Sequence, residues 1–113
     1  MYIKGRSKPI LRRVRIPKGF YHKAKGLLGE KRLEKDTGML FTNCNSIHMM
    51  GMRYSLDLVF MSKEGFVLKC QENIPPWRIA WCLKSFMTLE LAAGSIKNNG
   101  IKTGMKLEII ECM

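Results

Sequence analysis

Residues 56–70 constrain the fold more than any other stretch. Leu56 to Met61 reads LDLVFM, a short apolar run of strand length, and Phe66-Val67-Leu68-Lys69-Cys70 is a second such run. Between them Ser62-Lys63-Glu64-Gly65 supplies tight-turn residues, with glycine where a positive φ is needed. An antiparallel hairpin is expected here, and a hairpin needs further strands beside it to bury its apolar faces.

The rest of the chain supplies them. Pro9 to Ile16 alternates, with Ile10, Arg12, Val14 and Ile16 on one side and Leu11, Arg13 and Arg15 on the other. That pattern reads as a half-buried or edge strand whose arginines discourage pairing with a foreign edge. Pro17-Lys18-Gly19 ends it, and Phe20 to Gly29 reads as a short helix. Strands are expected at Gly38–Phe41, Ile47–Met52, Phe86–Leu91 and Met105–Ile110, with a second short helix over Ala92–Asn99 closed by Gly100. Ile74-Pro75-Pro76-Trp77 cannot be a central strand, because proline has no ladder donor, and is expected to be a surface loop. The prediction is one α+β domain over residues 1–113, mostly antiparallel, in a compact barrel-like sheet with two short helices.

Charge is distributed unevenly. The chain carries 20 Lys or Arg against 9 Asp or Glu, a formal net charge of +11. Residues 1–35 hold 12 of those bases and 2 of the acids, which leaves the other 78 residues nearly neutral. A local basic face predicts an acidic partner or a small anionic ligand, with Arg12, Arg13, Arg15 and Lys18 as the anion-binding patch. Nucleic acid is the less supported partner, since Tyr2, Phe20 and Tyr21 are the few aromatics nearby and no stacking platform is evident.

No apolar run approaches the ~18 residues of a membrane span, and the first residues lack the pattern of a signal peptide, so a cytoplasmic location is expected. Cys44, Cys70, Cys82 and Cys112 show neither CxxC nor zinc-site spacing, and no metal or cofactor is expected. Free thiols fit a reducing compartment, and Cys44 with Cys82 is the first pair to test for a disulfide.

The densest polar cluster is Ser46 to Asp57. A carboxylate inside Leu56-Asp57-Leu58 is costly to bury without a partner, and Leu89-Glu90-Leu91 repeats the theme. Backbone N–H groups or Arg53 and Arg78 satisfy such acids in a structural reading. In a functional reading His48 is an acid or base beside Asp57, with Arg53 holding an anion. Trp77 and Trp81 bracket Arg78 and are expected to cap the core across the Pro-Pro loop, with Trp77 kept as a ligand-contact candidate. No GxSxG, P-loop, HExxH or GxGxxG is present to specify a reaction.

In order along the chain come Gly26-Leu27-Leu28-Gly29, Gly38-Met39-Leu40-Phe41, Ser46-Ile47-His48, Gly51-Met52-Arg53 and Leu56 to Met61 followed by Gly65. Then come Asn73 to Arg78, Leu89 to Gly94 and Gly100 to Gly104. The series resembles the bacterial and archaeal family called domain of unknown function 192, from about Ala24 to Ile110. Residues 1–23 lie before it as a basic strand and the start of the first helix. Met50 stands where the pattern often has an aromatic, and Ser55 where it often has proline. The resemblance implies a small β-rich α+β domain with no assigned activity. Export signals in some members, and pilus or secretion genes beside others, imply an accessory role at the envelope. Its signature positions fall on Gly29, Gly38, His48, Met52, Arg53, Asp57, Pro76, Glu90 and Gly94.

Together these features favour a non-enzymatic binding or accessory module over an enzyme. Its candidate ligand contacts are His48, Arg53, Asp57, Trp77 and Glu90. A hydrolase using His48, Arg53 and Asp57 is the alternative, and nucleic-acid binding the second.

Overall fold

A computed structural model describes residues 1–5, 9–16, 35–43, 54–75, 78–82 and 84–109, with the backbone of 46–48. The first strands in chain order are β1 (Tyr2–Ile3), β2 (Arg13–Arg15), β3 (Thr37–Thr42), β4 (Ser46–His48) and β5 (Leu56–Met61). They are followed by β6 (Val67–Ile74), β7 (Ile79–Trp81), β8 (Met87–Ala92), the short helix Ser95–Asn99, and β9 (Leu107–Glu108).

The hairpin forms as expected. Leu56–Met61 is β5, Ser62 N–H bonds the Phe66 carbonyl at 2.9 Å, and Gly65 takes φ 94°. A side chain at Gly65 would meet the Leu107 carbonyl oxygen at 2.7 Å, so both conformation and space demand glycine.

Five strands make the main sheet in the order β2-β3-β8-β5-β6, with only β2 and β3 parallel. Its central strands are buried on both faces, which is why β5 reads as a nearly continuous apolar run. Alternation divides that run. Val59 and Met61 join Leu40, Leu89 and Leu91 on the first face, closed over by Ile96 and Leu107. Leu56, Leu58 and Phe60 join Met39 and Phe41 on the second face, beneath Tyr54 and Ala80. Ala80 belongs to the two-stranded ribbon β4–β7, so the ribbon covers the second face. A second small pair, β1–β9, contributes Ile3 and Leu107 to the first.

The sheet is open, with β2 and β6 as its edges, and is not closed into a barrel. Hydrophobic alternation assigns faces to strands, but closure depends on strand number and register. Here the register breaks twice between β5 and β6, and Asn73 takes φ 53° at the later break. The beginning of β6 is occupied by the segment before β9: Gly104 N–H bonds the Val67 carbonyl, and Val67 N–H bonds the Met105 carbonyl, both at 2.8 Å.

Among the described residues there is one helix, Ser95–Asn99, shorter than the expected Ala92–Asn99 because β8 continues through Ala92 and Gly94 (φ 93°) turns the chain. The helix expected over Phe20–Gly29 lies outside the described residues. No helix among the described residues is long and apolar enough to cross a membrane.

Candidate functional site

Asp57 is fully buried in β5 on the first face, opposite Leu91 of β8. Its Oδ1 accepts the Asn73 backbone N–H at 2.8 Å, and its Oδ2 accepts the Ile96 N–H at 2.9 Å. Both donors are orphans of local structure. Asn73 sits at the register break of β6, and Ile96 lies in the first helical turn, where N–H groups lack an intrahelical acceptor. Gly94 at the N-cap has no side chain to serve them, so Asp57 supplies the cap from another strand. Among the described residues these two backbone N–H groups are the donors to Asp57, and the side chains of Arg53 and His48 lie outside the described residues.

Glu90, also buried on a central strand, faces the other side. Its register partners are Met39 of β3 and Leu58 of β5, both on the second face. Only 5% of Glu90 is exposed, and among the described residues Oε2 has no hydrogen-bond partner. Burial pushes its carboxyl up to about 8, so the group is mostly neutral at pH 7. Asp57 and Glu90, similar in sequence setting, are thus separated by the thickness of the sheet.

The remaining candidates divide likewise. His48 ends β4, opposite Ile79, on the ribbon over the second face, whereas Asp57 is turned to the first. The Asp57 side chain and the strand that carries His48 thus lie on opposite sides of the main sheet. Arg53, Trp77 and Lys18 lie outside the described residues. Trp81 is 54% exposed rather than capping the core, because Ala80 takes the inward position of β7. The Ile79-Ala80-Trp81 alternation signals that strand, but the preceding prolines mask it.

The arginines occupy the β2 edge. Val14 is half-buried and packs on the first core cluster, while Arg13 and Arg15 flank it, exposed. Arg15 lies opposite Met39, and its Nη2 approaches Met39 Sδ at 3.6 Å. Arg12 Nη1 is 3.8 Å from Asp36 Oδ2, a loose surface pair with the Arg12 side chain 82% exposed. Cys70 and Cys82 are free thiols, and Cys44 lies outside the described residues. Among the described residues, no three His, Cys, Asp or Glu side chains are grouped to hold a metal ion.

Residues 2–109 match the family DUF192, described as Uncharacterized ACR, COG1430. The chain belongs to this family. Two solved structures share the DUF192 chain's architecture. One, from Sinorhizobium meliloti 1021, is described as a "putative transcription regulator"; it is 26% identical with a TM-score of 0.77, covering 84% of this chain and 79% of that one. The other, a protein of unknown function from Novosphingobium aromaticivorans DSM 12444, is 23% identical with a TM-score of 0.76, covering 85% and 74%. Comparison with curated proteins gave no match.

Proposed function

We propose that this DUF192 chain is a non-enzymatic binding module whose β2 edge meets an acidic partner or small anionic ligand. The carrying observation is that Arg13 and Arg15 on the outer strand β2, and Arg12 just before it, are exposed, in a segment anchored by buried Leu11 and half-buried Val14. Arg13 and Arg15 share one side of β2 with Arg12 just before the strand, a local concentration of positive charge that favours an anionic contact. Lys18 extends the same basic segment in sequence.

The hydrolase reading has less support. It asks Asp57 to orient His48, yet Asp57 is fully buried, each oxygen accepts a backbone N–H among the described residues, and the ribbon bearing His48 covers the other face of the sheet. Glu90 is reserved as a ligand contact only for a ligand that reaches the second face.

The test is titration with poly-L-glutamate. Wild type binds, and Arg12→Glu with Arg13→Glu and Arg15→Glu weakens binding by about tenfold or more, an effect that shrinks with added salt. Equal affinity in wild type and variant contradicts the proposal. The regulator description attached to the Sinorhizobium neighbour is the one observation favouring nucleic acid as the acidic partner. For duplex DNA, binding must fall steeply and log-linearly with salt.

A further inference from the structure

The ribbon β4–β7 has an outer face as well as an inner one. Ala80 is buried against the second core cluster, and strand alternation places Ile79 and Trp81 on the other side. They are 60% and 54% exposed, the highest values among the exposed large hydrophobic residues described. Two such side chains at i and i+2 of one short strand form a continuous apolar step.

The chain segments that carry the ribbon have one sign of charge. Residues 37–56 and 73–89, which contain both ribbon strands and their flanks, include Arg53, Arg78 and Lys84 and no Asp or Glu. Arg78 and Lys84 are exposed. Among the described residues β4 is the only strand paired with β7. The Trp81 carbonyl is met by Lys69 Nζ at 2.9 Å, which puts another cation at the end of β7.

An apolar pair, exposed cations beside it and, among the described residues, a strand with one pairing partner together fit an extended peptide. Its backbone adds beside β7, its apolar side chains cover Ile79 and Trp81, and its carboxylates meet Arg78, Lys84 and Lys69. A nucleobase would stack on Trp81 but make no use of Ile79. A lipid surface would take up the cations but leave the strand edge unused. We propose that the outer face of β7 docks an extended peptide of alternating acidic and apolar residues. The surface is separate from the β2 arginines and does not depend on their role.

The test is NMR titration of the wild-type chain with a blocked peptide of alternating Asp and Leu, following the Ile79 and Trp81 amides and the Trp81 indole N–H. The expected result is saturable shifts at these positions, with affinity reduced about tenfold by Ile79→Ser and by Arg78→Glu with Lys84→Glu. Lys97→Glu with Lys102→Glu, two exposed cations outside the ribbon and its flanks, leaves it unchanged, which separates this site from general attraction to positive charge. Absence of saturable shifts in wild type overturns the proposal without recourse to any variant. So does binding insensitive to Ile79→Ser. It is equally overturned if an oligothymidylate or phosphatidylglycerol vesicles shift Trp81 where the peptide does not.

Discussion

Asp57 in β5 accepts the backbone N–H of Ile96, 39 residues further along the chain, through Oδ2 at 2.9 Å. The helix that contains Ile96 begins at Gly94, whose φ of 93° suits glycine and whose missing side chain leaves the first turn without a local cap. Asp57 and Gly94 therefore form one device, with the cap supplied by a strand instead of the residue before the helix. The other oxygen of Asp57 fixes the Asn73 N–H at the register break of β6. A single carboxylate thus ties the sheet's edge strand and its helix to the central strand.

Asp57→Ala is expected to leave two backbone N–H groups without acceptors, each costing about 1–3 kcal/mol. Asp57→Asn retains one acceptor and loses less. Urea denaturation measures both, and amide exchange at Ile96 should accelerate in step with the loss. Unchanged stability in the alanine variant would contradict the capping role.

Glu90 makes stability depend on pH in the direction opposite to an ion-paired acid. Its folded value is raised from 4.5 to about 8, so the native state holds a proton that the unfolded chain releases. The stability it supports is fully present below the unfolded value, declines above it and is lost as pH rises through about 8. Within that window the slope approaches about 1.4 kcal/mol per pH unit. Glu90→Gln, which cannot ionise, should remove this slope, so the variant gains on wild type as pH rises from 5 to 8. Parallel stability curves for the two proteins would show that Glu90 ionises freely.

Gly65→Ala should destabilise the hairpin. The residue would have to keep φ 94° while its Cβ met the Leu107 carbonyl oxygen at 2.7 Å. A loss of about 1–3 kcal/mol is expected, with faster exchange of the Leu107 amide, which bonds the Gly65 carbonyl at 2.9 Å. An alanine variant as stable as wild type would mean that this turn can be rebuilt.

Burial pushes the Cys70 thiol up, and the charges of Glu72 and Asp57 add to the effect. Alkylation of Cys70 by iodoacetamide at pH 8, mapped by mass spectrometry, should therefore be slower than that of an unstructured cysteine peptide. An equal rate would contradict its described environment.

The hairpin, its turn glycine and the extent of β5 were legible because they depend on neighbours in sequence. β2 was legible as an arginine-bearing edge strand for the same reason. The openness of the sheet was not, since it depends on the two register breaks between β5 and β6, one of them at Asp57, and on residues 104–107 occupying the start of β6. Asp57 and Glu90 looked equivalent because each is an acid between leucines in the primary sequence. Their difference arises from parity across paired strands: Asp57 stands beside Leu91, and Glu90 beside Leu58. The ribbon strand β7 was hidden by Pro75 and Pro76, which mark the loop before it and say nothing of the alternation that follows.

On the proposed reading the buried acid Asp57 serves the fold and the exposed arginines serve binding. The direct measurement is the poly-L-glutamate affinity of Asp57→Asn, under conditions where it is folded, beside that of Arg12→Glu/Arg13→Glu/Arg15→Glu. The account predicts wild-type affinity in the less stable Asp57 variant. It predicts at least about tenfold weaker binding in the arginine variant, with stability nearly unchanged. Lost binding in a folded Asp57→Asn protein, or retained binding after the arginine reversal, would contradict it.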